Sequence, residues 1–383
     1  MFNFHTIKTK TIKRKNRAAM HAHPQRVYLL ALLLDLLAIA ANQLAIHSSA
    51  FADAYSHYVY RVLSLGIGSV MGLLPFSVVE LLLYATILFV LFDFVKQLCH
   101  FLGHLFLILS TLLVLYVFLC GINYHRTSFS QEAGLSITID EHGTVYDEAD
   151  LIALCDYLVT EINDTEAQVE GACIGQTMET PKPSAAWLWH AGRTGQRAME
   201  KLGQRYHRLS GHYPFPKPIL NTWILSVQQT TGVYSPFTVE ANYNRDIAYY
   251  DIPFTICHEL SHLRGYMQEE EANFIGVLAT IGADDLYFNY SGYVSAWVYA
   301  GNALARIDST AFATLYGRIN ERTRQDMLYN NAYWKQFEGK PAEAHEQLND
   351  VYLKMQGQAT GVHSYGHVTD LMLEYFAKNG TLK

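Results

Sequence analysis

Ile252-Pro253-Phe254-Thr255-Ile256-Cys257-His258-Glu259-Leu260-Ser261-His262 runs an apolar stretch directly into an HExxH pattern. On a helix, residues four apart lie one turn above another on one face, so His258 and His262 can turn both imidazoles toward one ion. Glu259 follows on the same turn, where its carboxylate can take a proton from a water made acidic by zinc. The apolar lead-in predicts a helix buried behind an active site rather than one lying on the surface. With 17 histidines in 383 residues, a chain of this composition contains the pattern by chance only about 0.04 times, which favours chemistry over accident.

Toward the C-terminus, Gly265 stands three residues after His262, where a helix can stop in a left-handed turn. Glu269-Glu270-Glu271-Ala272-Asn273-Phe274 then opens a second apolar stretch through Ile281, expected to be a helix that returns a carboxylate to the metal. Glu269 and Asn273 are four apart and share a face, so Glu269 is the expected third ligand, with Asn273 supporting a ligand histidine. Glu271 falls about 200° round that helix from Glu269, so the two can hardly coordinate together. The short gap from His262 to Glu269 keeps Glu271 as the alternative ligand.

Toward the N-terminus, three apolar segments, 27–46, 76–95 and 101–122, each have the roughly 20 residues that cross a bilayer as helix. Segment 55–74 is also apolar, but Arg61 and its glycines suit an interfacial helix better. Lys8, Lys10, Lys13, Arg14, Lys15, Arg17 and Arg26 precede the first span with no acid among them, which keeps that end cytoplasmic. Three crossings then put the remainder on the extracytoplasmic side. The expected organisation is a basic cytoplasmic tail (1–26), a membrane region with three transmembrane helices (27–123) and an extracytoplasmic domain (124–383).

That last domain carries 19 basic and 31 acidic residues, a net charge of −12, which argues against nucleic acid as a partner. Anionic membrane lipid is the expected partner of the basic tail. Of the five cysteines, only Cys155 and Cys173 could pair in the exported domain, and no Cys-x-x-Cys spacing supports a structural zinc site. Helical spacing marks 147–162 and 185–209. Residues 219–227 read as a strand, 234–244 as extended or irregular chain, and the chain from Phe254 onward as mainly helix. Strands followed by helices give an α+β fold class.

Several separated segments carry a resemblance. They are Pro75-Phe76-Ser77, Asn123-Tyr124-His125-Arg126, Ser235-Pro236-Phe237-Thr238-Val239-Glu240-Ala241-Asn242-Tyr243-Asn244, the HELSH-x-x-G and EEEANF pair, and Gly361-Val362-His363-Ser364-Tyr365-Gly366. Together, and in this order, they look like a family of bacterial integral-membrane proteins of unassigned function that is placed among the zincin metallopeptidases. The Glu-x-x-Ala-Asn piece is also similar to the Glu-x-x-Ala-Asp element of gluzincins, including membrane proteases of the CAAX-prenyl type. The resemblance implies a membrane-anchored, zinc-dependent peptidase with a mainly helical, zincin-like domain. It further implies that Glu240-Ala241-Asn242 corresponds to the gluzincin edge strand along the cleft, where Asn242 would hydrogen-bond a substrate peptide group. His363, Tyr365 and His367 become candidates to steady the oxyanion, with Tyr365 preferred.

The expected activity is therefore hydrolysis of a peptide or protein substrate, with Zn2+ on His258, His262 and Glu269, Glu259 as general base and Tyr365 as oxyanion donor. The rival expectation is a membrane sensor or regulatory protein that uses the same domain for signalling or partner binding.

Overall fold

Long apolar runs with few charges dictate the N-terminal third. The computed structural model describes residues 4–96, 98–135, 147–169, 174–356 and 367–383. Helix α1 (Phe4–His47) contains the apolar stretch Arg26–His47, α4 (Val78–Lys96) is apolar but for Glu80, Asp93 and Lys96, and α5 (Leu98–Leu119) supplies most of the stretch Phe101–His125. These are the three helices, among the described residues, long and apolar enough to cross a membrane. Leucines along them, such as Leu33, Leu88 and Leu102, turn outward, as lipid-facing side chains do. α1 packs along α5, and Ala31, Ala38 and Ala45, spaced by seven, are buried on it. Small residues repeated on one face let two helix backbones approach closely.

Between the first two spans the chain forms α2 (Ser49–Ala54), a π-helical turn (Tyr55–Tyr60) and α3 (Arg61–Gly72). Segment 55–74 has two sides. Tyr58, Val62 and Leu73 are exposed, whereas Tyr55 and Tyr60 are buried and the Arg61 guanidinium donates to the Ser210 carbonyl and hydroxyl at 3.1 Å.

The remaining helices are α6 (Phe129–Glu132), α7 (Glu148–Gln168), α8 (Ala185–Arg205) and α9 (Trp223–Ser226), followed by α10 (Asp251–His262) and α11 (Glu269–Ile281). After these come α12 (Leu286–Ile307), α13 (Ser309–Arg318), α14 (Glu321–Lys335), α15 (Lys340–Met355) and α16 (His367–Asn379). Several begin where the sequence places an N-cap. Asp147 and Asp150 form a reciprocal capping box on α7, the Ser184 hydroxyl accepts from Trp187 N on α8, and Asp285 accepts from Tyr287 and Phe288 N on α12. From Glu271 to its end α11 is buried on every side, which is the condition of a helix through the middle of a core. It packs against α10, α12, α8 and α16.

One small sheet completes the domain, with order β1 (Lys217–Pro218), β3 (Glu240–Tyr243), β2 (Gly232–Ser235). β1 runs parallel to the central β3 and β2 antiparallel to it, with Val233 opposite Asn242. The mainly helical expectation holds, and the strand share of the α+β class is small: among the described residues the strands are three short segments. The strand expected over 219–227 is absent. Glu80 of α4 accepts the Leu220 and Asn221 N–H groups at 2.8 and 2.9 Å, which turns the chain, and α9 begins two residues later.

A buried ionic knot joins sheet and membrane region. Glu240 on β3 accepts the backbone N–H groups of Val78 and Val79 at 3.1 and 2.9 Å, in the first turn of α4, and the Lys217 ammonium at 2.5 Å. Lys217 and Glu240 are both almost fully buried, and Lys217 also donates to the Met71 carbonyl. A carboxylate at a helix N-terminus satisfies donors that the helix itself leaves open. The hydrophobic core runs without a break from Tyr55, Tyr60 and Ile122 into Phe274 and Tyr290.

Candidate metal centre

α10 is held at both ends. Ser291 of α12 donates its hydroxyl to the Tyr250 carbonyl and accepts the Phe254 N–H at 3.2 Å, fixing the start. At the other end Gly265 has φ +81°, a conformation that glycine adopts without the steric cost of a Cβ. A Cβ there would also meet Asn123 Cγ and Ser56 Oγ at 3.2 Å. The Tyr60 hydroxyl donates to the His262 carbonyl at 3.1 Å and Arg126 donates to the Arg264 carbonyl at 2.8 Å. The turn that brings α11 back past α10 is thus clamped by residues adjoining the membrane helices.

The clamp places three donors around one point. His258 Nε2 lies 3.2 Å from His262 Nε2 and 3.4 Å from Glu269 Oε2, and His262 Nε2 lies 3.9 Å from Glu269 Oε1. A tetrahedral zinc with bonds of about 2.0–2.2 Å has ligand-to-ligand edges of about 3.3–3.6 Å, so the histidine pair already stands close to such an edge, while the Glu269 carboxylate, which faces the two imidazoles with different oxygens, must turn to close the third side. Among the described residues this is the group of His, Cys, Asp and Glu side chains that could hold a metal. His262 Nδ1 is 2.6 Å from the Tyr266 carbonyl, which fixes the proton on Nδ1 and leaves the Nε2 lone pair free for a metal. Asn273, buried one turn after Glu269, stands with His258 in the wall of the same cleft.

Glu259 is adjacent but distinct. Its Oε1 is 3.9 Å from His258 Nε2, the side chain is buried, and Oε2 has no hydrogen-bond partner among the described residues. Gly232 of β2 makes room for it: a Cβ at that position would lie 2.6 Å from Glu259 Oε1 and 2.7 Å from Thr255 Cγ2. Glu271, the alternative ligand, faces away. Its carboxylate accepts the Ser130 N–H at 2.9 Å and the Ser130 hydroxyl at 2.8 Å.

Charge is shared unevenly across the metal-free cluster. Burial alone would lower His258, but the Glu269 hydrogen bond and the Glu259 and Glu269 charges outweigh it and raise the imidazole to about 9. Burial, aided by the His258 charge, drops His262 to about 4. Burial also lifts Glu259 to about 8, with the His258 charge opposing. Glu269 is held below its usual value, because the His258 hydrogen bond and the two imidazole charges overcome its burial. One proton on the histidine pair, facing one ionised Glu269, is what a divalent cation would displace.

The cluster opens into a cleft of about 1260 Å³ lined by β2, α10, the start of α11, α12 and α15. Here the expectation for Asn242 is corrected. It lies at 0% exposure on the central strand β3, and its amide donates to the Val233 and Glu240 carbonyls at 3.4 and 3.3 Å. The edge strand beside the cleft is β2, whose Gly232, Val233 and Tyr234 line it together with the preceding Thr231. Tyr365 and His363 lie outside the described residues, as does Cys173. His367 opens α16 and is not among the residues lining the cleft, and Cys155 is buried with no disulfide partner among the described residues. Sequence reasoning missed a tyrosine cluster in the wall: the hydroxyls of Tyr116 and Tyr124 meet that of Tyr352 at 3.1 and 3.0 Å. Tyr124 stood in one of the quoted segments, but its partner comes from 228 residues further on.

The family model described as a protein of unknown function (DUF3810) matches residues 55–373. No curated protein matches the chain, and no solved structure does.

Proposed function

We propose that this chain, which belongs to the DUF3810 family of proteins of unknown function, is a membrane-anchored zinc peptidase with a gluzincin-like site. The observation that carries this reading is the convergence of His258, His262 and Glu269, whose ligand atoms lie within 4.8 Å of one another, with Glu259 beside them facing the same cleft. Zinc held by those three side chains would supply a Lewis acid and an acidified water. Glu259 takes a proton from the attacking water and passes it to the leaving amine as the C–N bond breaks. β2 offers its free edge to an extended substrate, and Gly232 keeps that edge close to Glu259. Tyr365 remains the proposed oxyanion donor. Metal analysis of the purified full-length protein, coupled to a peptide-library digest, tests the proposal. A protein that binds zinc stoichiometrically and cleaves nothing would overturn it and favour a sensor or binding role.

Zinc affinity follows a definite pH sense. His258, raised to about 9 without metal, carries a proton at neutral pH that the ion must displace. Chelator competition is expected to show affinity rising with pH, by up to about tenfold per unit, and levelling above about 9. An affinity independent of pH between 6 and 8 would remove His258 from the ligand set.

The catalytic domain is proposed to face away from the cytoplasm, from the seven basic residues that precede the first span and the three candidate crossings. A reporter fused after Asn123 is expected to be active only in its exported form. Cytoplasmic reporter activity would reverse the orientation.

A further inference from the structure

The cleft continues from the histidine pair toward the start of α10. Asp251, Thr255 and Glu259 stand one turn apart and share that face. Across from them, Ser295 lies one turn beyond Ser291, the residue that hydrogen-bonds the first turn of α10. Thr255 and Ser295 are 1% and 4% exposed, yet among the described residues neither hydroxyl has a hydrogen-bond partner, and both line the cleft. Asn330 Oδ1, from α14 in the same wall, is buried and also unpartnered. Asp251 has neither an ion pair nor a side-chain hydrogen bond among the described residues, and burial pushes its carboxyl up to about 7. Buried polar atoms are ordinarily paired, so three such atoms lining one cleft, with the half-buried Asp251 carboxyl one turn from Thr255, mark a place where a ligand completes the set.

The chemistry of the recess specifies that ligand. A carboxylate, two hydroxyls and an amide oxygen can all accept, and the group that only donates is an ammonium or guanidinium. No Lys or Arg among the described residues lines the cleft, while Glu338, Glu343 and Glu346 line its α15 side. Asp251 precedes His258 by seven residues, about 10 Å along the helix. The long stem of a lysine or arginine beside the scissile bond bridges most of that distance. Resting on the peptidase reading of the site, we propose that Asp251, Thr255 and Ser295 form its specificity pocket and receive a lysine or arginine side chain adjacent to the cleaved bond.

The test uses full-length, zinc-loaded protein in detergent micelles and pairs of peptides differing only in lysine against norleucine next to the cleaved bond. The lysine peptide is expected to have a kcat/KM at least about tenfold higher, and Asp251→Asn to lower that ratio by at least about tenfold. Thr255→Val, which keeps the shape and removes the hydroxyl, should lower it about threefold; this second variant carries the test if Asp251→Asn does not fold. A wild-type ratio near one, or a ratio that both variants leave intact, overturns the pocket while the peptidase reading stands. If no peptide is cleaved, fluorescence anisotropy with the same pair on Glu259→Gln protein separates the two ideas. Preferential binding of the lysine peptide, abolished by Asp251→Asn, upholds the pocket and sinks only the hydrolysis; equal binding of both peptides overturns the pocket.

Discussion

Glu259→Gln is expected to retain zinc and to lose peptide hydrolysis by a factor of about 100 or more. The carboxylate stands beside the ligand triangle without belonging to it, at 3.9 Å from His258 Nε2, and its Oε2 has no partner among the described residues. Glutamine fills the same space against Gly232 but cannot accept a proton at neutral pH. Burial raises the Glu259 carboxyl to about 8, against the opposing His258 charge. Zinc content by elemental analysis and steady-state rates on one peptide decide the matter together. Parental activity in the glutamine variant would remove Glu259 from the mechanism, and loss of zinc would make it a ligand instead.

Glu269→Gln is expected to release zinc at least about tenfold more readily than Glu271→Gln, in competition with a chelator. His258→Ala and His262→Ala should fail to hold the ion at all. The two glutamates are two positions apart in sequence yet serve different ends of the molecule. Glu269 closes the triangle with the histidines, whereas Glu271 holds the N-terminal turn of α6 through Ser130. The cost of Glu271→Gln should therefore appear in thermal stability rather than in metal content. The reverse order of zinc loss would transfer the ligand role to Glu271 and require α11 to rotate by about half a turn.

What was legible in the sequence was whatever a local rule could reach. His258, Glu259 and His262 are bound by helical spacing, Gly265 by the φ a helix-ending turn demands, and Glu269 by its face on the next helix. The three helices long and apolar enough to cross a membrane follow from length and hydropathy. Extended chain around Glu240-Ala241-Asn242 was legible, but the pairing of the sheet was not, since strands of two to four residues carry no period and Asn242 looks the same in a central strand as in an edge one. The apolar run 219–227 failed as a strand because Glu80, some 140 residues earlier, takes the N–H groups of Leu220 and Asn221. Nor does any local pattern announce that Asp251 lacks a partner among the described residues or that α15 borders the cleft; both depend on what the rest of the chain brings near.

The knot at Glu240 changes what residues 27–123 are. A fragment starting at residue 124 would lose the Val78 and Val79 donors from Glu240 and the Met71 carbonyl from Lys217. It would also lose the Tyr60 hydroxyl from the His262 carbonyl. The membrane helices are in this sense a scaffold in cis, an intramolecular chaperone that never leaves. Excising the hydrophilic part for convenience would yield a different folding unit, not a soluble copy of the same one.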